Sequence, residues 1–414
     1  MVGSASSGGV KGVAGWPDPI SPSGSDSFGA GSGPERTRVP PEACFHGGAF
    51  FDAIGVEFED LSRRARVINA DVLDAWFPPA PSVIAALSEH LPWLLRTSPP
   101  TSCEGLTATI ARVRNLPGGC LLPGAGSSDL IFRALRSWLS PASRVLLLDP
   151  TYGEYAHFCE QSIGCRVVDR FVLHREDRYR LDLEALETAL EKGYDLLILV
   201  NPNNPTGRHI PRAQLEPLLR RLPPETRCWV DEAYLEYVGA EQTLEPLATE
   251  LPNVVVCKSL SKVYALSGAR AAYLVGPEPL VHDLRRHTPP WAVGLLAQVA
   301  AVAALQAPEY YADRYRETHT LREALAAGLR AHCPGLDVLS GATNSVLCHL
   351  PTDGPDAAAV VAHCRNQDLF LRDVRGMGPS VGSRVFRIAV KDAATQERIL
   401  EILSGIGKEV LIGK

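Results

Sequence analysis

Four short apolar runs, each followed directly by polar residues, constrain the fold of this chain more than any other feature of its sequence. They are RVLLLDP, YDLLILVNP, CWVDEAY and NVVVCKS, and helix-like stretches such as LDLEALETALEKG and RAQLEPLLRRL lie between them. Near-continuous apolar strands that alternate with helices are typical of a parallel sheet covered on both faces. The sequence therefore predicts an α/β fold with a mostly parallel sheet between helices.

A second block of structure is predicted after Trp291. The chain there turns helical over LLAQVAAVAALQAPEYYADRYRETHTLREALAAGLRAH, continues with the short apolar runs SVLCHL and RVFRIAV, and ends in a helix-like stretch near TQERILEILSGIG. This pattern, in a chain of 414 residues, indicates a second, smaller α+β domain. We expect a large domain over residues 101–290, and a small domain that combines residues 291–414 with part of residues 43–100, which also form an N-terminal arm.

Residues 1–42 differ in composition from the rest of the chain. They are rich in Gly, Ser and Pro and contain almost no bulky apolar side chains. Such a segment cannot bury enough surface to offset the entropy lost on ordering, so we expect it to be disordered. It has no continuous hydrophobic stretch of the kind found in secretory signals, which makes the cytoplasm the expected location.

Charge and cysteine usage exclude several classes of function. The net charge is -6 and the Lys and Arg residues are scattered, which argues against a nucleic-acid partner. Apolar runs such as LLILV have the length of strands, so no membrane span is expected. The 10 cysteines form no C-x-x-C pair, and the Cys–His neighbours lack the spacing of zinc ligands. We therefore expect reduced thiols and no metal site.

Polar residues follow the predicted strands at the point where each strand ends. Tyr152 follows RVLLLDP, Asn204 lies in NPNNPTG after LLILV, Asp231 and Tyr234 follow CWV, and Lys262 follows VVVCKSL. Ligands of parallel α/β sheets bind beyond the carboxyl ends of the strands. We therefore expect these side chains to meet at one edge of the sheet, with Lys262 on a turn.

A glycine-rich turn, LPGAGSSDLIFRAL, opens a predicted helix at Ser127. Exposed backbone N–H groups and the helix dipole attract an anion such as phosphate to a turn of this kind. Gly124-x-Gly126 before a helix also fits a dinucleotide fingerprint, with Asp149 as the acidic residue at the end of a later strand. Asp129 occupies the place of the third glycine, however, and this alternative leaves the polar residues at the other strand ends unexplained.

Pyridoxal 5′-phosphate is a cofactor that would account for these residues together. Its aldehyde needs an amine, and Lys262 could form the Schiff base with it. Its ring nitrogen needs a carboxylate in order to stay protonated, which Asp231 could supply. Its phenolic oxygen needs donors, for which Tyr234 and Asn204 are candidates, and the aromatic ring of Tyr152 could cover the face of the cofactor.

The phosphate group of that cofactor needs a cation, hydroxyl groups and backbone N–H groups. The candidates are Arg270, Ser259, Ser261 and the turn at Gly126 and Ser127. Single residues also have ordinary structural explanations: Lys262 could extend its amine to water and Arg270 could pair with a surface acid. Asp231 could cap a helix and Tyr234 could pack in the core. The joint pattern favours the cofactor site.

Three segments resemble those of a known family. NPNNPTG, DEAYLEY and SLSKVYALSGAR are similar, in this order, to the signature segments of the class I/II pyridoxal-phosphate aminotransferases. GAGSSDLI, DPTYGEY, PPWAV and FRIAV resemble the branch that contains histidinol-phosphate aminotransferase and threonine-phosphate decarboxylase, so that the resemblance covers residues 65–405. It implies fold type I, a homodimer with the active site between its subunits, and a substrate α-carboxylate held by Arg387.

Two segments and one residue depart from that family. Ala272 stands where the family usually has a glycine, NADVLDAWFPPAP replaces an Asn-rich segment, and LLRTSPPTSCEGL replaces a segment whose tyrosine reaches the neighbouring subunit's cofactor. These segments help to form the substrate pocket in the family, so the substrate does not follow from the resemblance. Arg96, Arg372 and Arg375 are candidates for reading a substrate phosphate, but the sequence favours surface arginines.

The resemblance implies an enzyme that transfers an amino group between an amino acid, or an amino-acid phosphate, and a 2-oxo acid. Lys262, Asp231 and Tyr234 are the expected catalytic residues, and Lys262 would carry the proton from the substrate α-carbon to the cofactor. A decarboxylase of the threonine-phosphate type would use the same residues and is the alternative. A non-catalytic binding protein of this fold is a third hypothesis; it predicts loss of the chemical residues, which are all present.

Overall fold

Two β-sheets organise the part of the chain that the computed structural model describes, residues 47–406. The strands are β1 (Ile68–Ala70), β2 (Leu121–Gly124), β3 (Arg144–Asp149), β4 (Val167–Val172), β5 (Leu196–Val200), β6 (Arg227–Asp231), β7 (Val254–Ser259), β8 (Ala272–Val275), β9 (Asp337–Ser340), β10 (Ser345–His349), β11 (Leu369–Asp373) and β12 (Val385–Ala389). The tail predicted over residues 1–42 lies outside the described residues.

Helices surround both sheets. The α-helices are α1 (Phe50–Ile54), α2 (Pro81–Arg96), α3 (Glu104–Arg114), α4 (Ser127–Trp138), α5 (Gly153–His157), α6 (Leu183–Leu190), α7 (Arg212–Arg220), α8 (Glu245–Glu250), α9 (Leu260–Val263), α10 (Glu278–Arg286), α11 (Leu295–Leu305), α12 (Pro308–His332), α13 (Ala357–Arg365) and α14 (Ala393–Gly405). A π-helical turn covers Phe158–Ile163, and 3₁₀ turns cover Leu61–Ala65, Gly118–Cys120, Leu235–Tyr237, Ala240–Gln242, Arg375–Met377 and Pro379–Val381.

The larger sheet has seven strands in the order β2-β8-β7-β6-β5-β3-β4. The five strands from β7 to β4 run parallel, and β8 is antiparallel to both of its neighbours. Every residue of β5 and β7 is buried, as the continuous apolar runs LLILV and VVVCKS require of strands covered on both faces. The predicted α/β fold with a mostly parallel sheet is therefore confirmed, with an antiparallel edge that the alternation of elements did not reveal.

Helix α4 packs against the larger sheet through one apolar face. Its buried residues include Leu130, Ile131, Ala134 and Leu135, spaced as one side of a helix requires, and it contacts β7 and β8. The helix begins directly after Gly126, so its N terminus lies at the same end of the sheet as the residues that follow β7. The glycine-rich turn thus opens a helix as predicted.

The smaller sheet has five strands in the order β1-β11-β12-β10-β9. Strand β1 pairs in parallel with β11 and therefore joins the N-terminal part of the chain to strands formed about three hundred residues later. The remaining pairs are antiparallel. Both sheets belong to one compact unit, and the domain boundaries predicted near residues 100 and 290 stay predictions.

A glycine pair brings the loop after β5 against the smaller sheet. A Cβ atom added to Gly341 would lie 2.6 Å from the Cα atom of Gly207, and the backbone N–H of Ala342 donates to the carbonyl of Gly207 at 2.7 Å. Gly207 also has φ +67°, in the left-handed region that favours glycine. Glycine is needed at both positions for this close approach, which holds the NPNNPTG loop against the smaller sheet.

Residues 47–406 contain neither a membrane-spanning helix nor a cluster of metal ligands. None of the helices in this range is long and apolar enough to cross a membrane. Within the same range, His, Cys, Asp and Glu side chains form no group of three or more that could hold a metal ion. All of the cysteines described are free, and all but Cys165 are buried.

Candidate active site

A cavity lies beyond the carboxyl ends of β3, β5, β6 and β7, where the polar residues that follow these strands come together. Nine of the eleven predicted site residues line it, and the other two, Gly126 and Arg387, contact Arg270 and Asn204. The lining residues are Ser127, Ser128, Tyr152, Val200, Asn204, Asp231, Ala233, Tyr234, Ser259, Ser261, Lys262 and Arg270. The structure thus brings the predicted residues to one edge of the sheet, whereas their chemical roles stay predictions.

Lys262 lies on α9, a single helical turn that directly follows β7, where the sequence predicted a turn at the end of an interior strand. Its Nζ atom lies 2.9 Å from Oδ1 of Asp74 and 3.4 Å from Oγ of Ser267. Burial lowers the pKa of Lys262, and the carboxylate of Asp74 acts in the opposite direction. A lowered pKa leaves more of the amine neutral, which is what a nucleophilic lysine needs.

Asp231 is the last residue of β6 and is buried. Its Oδ2 atom accepts a hydrogen bond from the Tyr155 hydroxyl at 2.7 Å, and its Oδ1 atom accepts from the backbone N–H of Ala233 at 2.9 Å. Burial raises the pKa of Asp231, whereas these two hydrogen bonds lower it by stabilising the ionised form. Nε1 of Trp229 donates in turn to the Tyr155 oxygen at 2.7 Å, so this carboxylate is held by a buried chain that the sequence did not predict.

Tyr234 and Asn204 both line the cavity and carry groups that can donate hydrogen bonds. Burial raises the pKa of Tyr234, so its hydroxyl keeps its proton. The side-chain oxygen of Asn204 accepts a hydrogen bond from the Arg387 guanidinium. The amide nitrogen of Asn204 is therefore the group left to donate to a ligand.

The glycine-rich turn and Arg270 form a cationic end of the cavity. A Cβ atom on Gly126 would overlap the Arg270 guanidinium, and Gly126 has φ +89°, so glycine is required for the close approach. The Arg270 guanidinium therefore lies against the N terminus of α4, where the helix dipole is positive. Ser259 and Ser261 line the same cavity, and the Ser259 hydroxyl oxygen accepts from the Ser261 backbone N–H at 3.3 Å.

Arg387 lies in β12, an interior strand of the smaller sheet, and only 3% of its surface is exposed. One of its terminal nitrogens donates to the Asp71 carbonyl at 2.8 Å, and its Nε atom is buried without a hydrogen-bond partner among the described residues. Burial lowers the pKa of Arg387 to about 10. These contacts differ from the strand-edge salt bridge that the residue type alone would suggest.

Arg372 lies directly opposite Arg387 in the pairing of β11 with β12. It is 6% exposed, and its Nη1 atom lies 3.4 Å from Oδ1 of Asp71. The expectation of a surface arginine was wrong for Arg372, because β11 lies between β1 and β12 inside the sheet. It was correct for Arg96 and Arg375, which are exposed. Two buried guanidinium groups thus lie on neighbouring strands beside the cavity.

The carboxylates that a dinucleotide site would use are engaged elsewhere. Oδ1 of Asp149 accepts a hydrogen bond from the Ser380 hydroxyl at 2.6 Å. Asp129 pairs with Arg133 at 2.5 Å and accepts from the Ala125 backbone N–H at 2.9 Å. Neither is available to a ribose, which argues against the dinucleotide alternative.

A buried charge cluster lies next to the cavity and was not foreseen from the sequence. Nζ of Lys258, on β7, lies 3.2 Å from Oε2 of Glu232 and 2.9 Å from Oε1 of Glu236. Arg114 reaches Oε1 of Glu236 at 2.6 Å and Oε2 of Glu245 at 3.8 Å. Glu232 directly follows Asp231 and Lys258 directly precedes Ser259, so the cluster links the ends of β6 and β7 next to two residues that line the cavity.

The two segments that depart from the resembled family have different surroundings. The first, residues 69–81, contacts the cavity, since its Asp74 reaches Lys262 and its Asp71 reaches Arg387. The second, residues 94–106, contributes Thr101 and other residues to a separate cavity with the segment that precedes Ala292. In this chain, therefore, only the first segment reaches the amine of Lys262.

Comparison with known proteins decides the family. The sequence profile described as "Aminotransferase class I and II" matches residues 99–406, nearly three quarters of the chain. The chain belongs to the class I and II aminotransferases. The match confirms the family that the three signature segments predicted. Relatives of this aminotransferase chain include members of the predicted branch, namely histidinol-phosphate aminotransferases and a threonine-phosphate decarboxylase.

A histidinol-phosphate aminotransferase of Moorella thermoacetica is 33% identical over 245 residues, which are 58% of this chain and 62% of that protein. The match thus spans less than two thirds of that relative's length. A threonine-phosphate decarboxylase of Salmonella typhimurium is 31% identical over 329 residues, or 78% of this chain and 87% of that protein.

A solved structure of the histidinol-phosphate aminotransferase from Sinorhizobium meliloti, in complex with pyridoxal-5'-phosphate, shares the fold of this aminotransferase chain. The TM-score is 0.77, with 22% sequence identity, and the superposition covers 90% of this chain and 98% of that chain. The fold type I architecture that the resemblance implied is therefore confirmed.

Proposed function

We propose that this protein is a pyridoxal-phosphate-dependent aminotransferase that moves an amino group between an amino acid, or an amino-acid phosphate, and a 2-oxo acid. The observation that carries the proposal is the cavity at the carboxyl ends of four parallel strands. It combines a half-buried amine, Lys262, with a buried carboxylate, Asp231, and a cationic end at Arg270. A binding protein without catalysis would have no use for an amine of lowered pKa at this position.

Pyridoxal 5′-phosphate, the cofactor of this family, fits the residues present. The Gly126 turn leaves room beside Arg270 that a Cβ atom would fill, and the N terminus of α4 supplies backbone N–H groups for a phosphate. Asp231 would hold the ring nitrogen, and Tyr234 and Asn204 would donate to the phenolic oxygen. When bound, the cofactor supplies an aldehyde that condenses with amines and a ring that withdraws electrons from the substrate α-carbon.

Lys262 would act both as the amine bonded to the resting cofactor and as the base that takes the α-proton of the substrate. The burial that lowers its pKa favours the neutral form needed for each role. The bonds of Asp231 to Tyr155 and Ala233 would favour its ionised form, against the burial that raises its pKa. Tyr234 would act as a proton-bearing donor, because burial keeps its hydroxyl protonated.

The substrate class follows from the pair of buried arginines. A planar guanidinium binds a carboxylate or a phosphate through paired hydrogen bonds, and Arg387 has a buried Nε atom that no described residue uses. Arg372 lies beside it on the neighbouring strand, paired with Asp71. We therefore propose a substrate with a carboxylate or phosphate group, as in an amino acid or an amino-acid phosphate, with Arg387 as the clamp.

Decarboxylation is the second candidate function. Its support is the Salmonella relative, which is named a threonine-phosphate decarboxylase and matches over 78% of this chain. The same lysine, carboxylate and arginines would serve, with the substrate held so that its carboxylate, and not its α-proton, is lost. Product analysis separates the two reactions.

The test is to supply threonine phosphate, an amino-acid phosphate, with and without 2-oxoglutarate, and histidinol phosphate with 2-oxoglutarate, and to measure glutamate and carbon dioxide. Formation of glutamate supports the aminotransferase, and release of carbon dioxide supports the decarboxylase. If neither substrate gave either product, the proposed substrate class would be wrong. Arg387→Gln should lower kcat/KM roughly 10- to 100-fold, because a hydrogen bond to a charged group contributes about 1.5–3 kcal/mol. Arg375→Gln, a change at an exposed arginine, is the matched control.

We also propose a homodimer, as the resemblance implies. Its support is the set of large apolar side chains left exposed on this protomer, among them Trp93 and Leu95 on α2 and Trp291 near the separate cavity. Sedimentation velocity at micromolar protein would contradict the dimer if it found only the mass of one chain. The cytoplasmic location stays a prediction.

A further inference from the structure

The proposed function gives Asp74 no role, yet the carboxylate of Asp74 lies within hydrogen-bonding distance of the Lys262 amine. Its Oδ1 atom is 2.9 Å from Nζ of Lys262, across 188 positions of sequence. It belongs to the segment NADVLDAWFPPAP, which replaces the Asn-rich segment of the resembled family. The replacement thus carries a carboxylate to the one amine on which the proposed chemistry depends.

The segment that carries Asp74 is fixed at several points by buried or half-buried contacts. Nδ2 of Asn344 donates to the Leu73 carbonyl at 3.0 Å, and Nε1 of Trp76 donates to Oγ1 of Thr318 at 2.8 Å. Leu73 directly precedes Asp74 and Trp76 follows it by two positions, so the chain has a hydrogen-bonded contact on each side of Asp74. The position of its carboxylate is therefore a built feature and not that of a loose surface acid.

Ser267 provides the second contact of the amine. Its Oγ atom lies 3.4 Å from Nζ of Lys262 and donates to the Ser261 carbonyl at 3.1 Å. The hydroxyl thus presents a lone pair to the lysine while its proton is used elsewhere. An ammonium group can therefore be held here by one charged and one neutral acceptor.

We propose that Asp74 and Ser267 form a docking point that holds the free amine of Lys262 whenever it is not bonded to the cofactor. Asp74 is then a positioning residue, and the amine alternates between this point and the cavity that Lys262 also lines. The inference rests on the proposed function, since it assigns a place to the lysine that the substrate displaces.

Charged groups on four elements act on the amine at this point. Asp74 raises the pKa of Lys262, whereas burial, together with Arg387 on β12 and Arg270 after α9, lowers it. Lys391, which follows β12, faces Asp74, and burial lowers the pKa of Lys391 to about 8. Asp231, at the end of β6, lines the same cavity. Removal of the Asp74 charge should therefore lower the pKa of Lys262 further.

The rate at which the lysine bonds to added cofactor reports this change. The neutral amine adds to the aldehyde carbon, a C–N bond forms and water leaves; an ammonium group must first give its proton to solvent. In the full chain freed of cofactor, the absorption band that grows on addition of pyridoxal 5′-phosphate gives this rate at each pH. The pH at which this rate is half of its maximum gives the pKa of Lys262, provided that the band depends on Lys262.

Asp74→Asn should lower that midpoint by about one unit, because an opposite charge within hydrogen-bonding distance shifts a pKa by one unit or more. Bond formation below the wild-type midpoint should then be about tenfold faster in the variant, and equal above it. Ser267→Ala should shift the midpoint in the same direction by less, and it keeps the inference testable if Asp74→Asn does not fold. Asp283→Asn, which removes an exposed carboxylate paired with Arg286, should change nothing.

Two outcomes contradict different claims. If the wild-type chain forms the band, but Asp74→Asn and Ser267→Ala follow the wild-type pH profile, the docking point is wrong and the proposed function stands. If the wild-type chain forms no band at any pH, the proposed function fails and the docking point fails with it.

Discussion

At the scale of single residues, Tyr155 has the most consequential contact that the sequence did not predict. It is fully buried, donates to Asp231 and accepts from Trp229, so that it joins the candidate ring-nitrogen partner to the core of the larger sheet. Burial raises the pKa of Tyr155, which keeps its hydroxyl protonated and able to donate. The bond stabilises the ionised form of Asp231 in a site where burial disfavours it.

Tyr155→Phe should therefore weaken binding of pyridoxal 5′-phosphate. Loss of a hydrogen bond to a charged group costs about 1.5–3 kcal/mol, which corresponds to roughly 10- to 100-fold in affinity. Fluorescence or absorption titration of the cofactor-free chain measures the affinity. Tyr194→Phe is the matched control, since Tyr194 donates to Oδ2 of Asp169 at 2.6 Å at the far end of β5. If Tyr155→Phe bound the cofactor as tightly as the wild type, the hydrogen bond from Tyr155 to Asp231 would not contribute to cofactor binding.

At the scale of elements, the loop after β5 depends on its contact with the smaller sheet. Gly207 ends the NPNNPTG loop and touches Gly341, which lies between β9 and β10. The same loop carries Asn204, whose oxygen accepts from Arg387 on β12. One side of the candidate site is thus built where the two sheets meet, and its geometry depends on close backbone packing.

Gly341→Ala should destabilise the protein by about 1–3 kcal/mol, because its added Cβ atom would lie 2.6 Å from the Gly207 backbone and one element would have to shift. Urea denaturation of the full chain measures the change in the free energy of unfolding. The control is Gly376→Ala, at a position where an added Cβ atom meets nothing within 4 Å. If both variants had the same free energy of unfolding, the loop would accommodate the added Cβ atom of Gly341→Ala without loss of stability, contrary to this prediction.

At the scale of the whole molecule, the local sequence pattern predicted the parallel strands of the larger sheet. The direction of its edge strand and the partners of several site residues depend on contacts between distant parts of the chain. The runs LLILV and VVVCKS predicted buried parallel strands, and the residues after them met at one edge because parallel strands share a direction. The antiparallel β8 was not foreseen, because a short apolar run carries no sign of its direction.

The residues that sequence reasoning missed have partners far away in the chain. Asp74 reaches Lys262 across 188 positions, and no spacing rule connects the two. Arg372 was taken for a surface residue, although it ends the apolar run LFLR; that run was itself a sign of an interior strand. Tyr155 and Trp229 could be assigned to the core from their residue types, but the bond from Tyr155 to Asp231 and the bond from Trp229 to Tyr155 follow only from the fold.

Lys262 is expected to bond to pyridoxal 5′-phosphate in the site built by the ends of four parallel strands. The most direct test is the near-ultraviolet and visible absorption spectrum of the purified chain with the cofactor, beside Lys262→Ala and the exposed-lysine control Lys192→Ala. We predict a yellow band from the lysine-bound cofactor in the wild type and in Lys192→Ala, and its loss or displacement in Lys262→Ala. No band in the wild type, or an unchanged band in Lys262→Ala, would contradict the account.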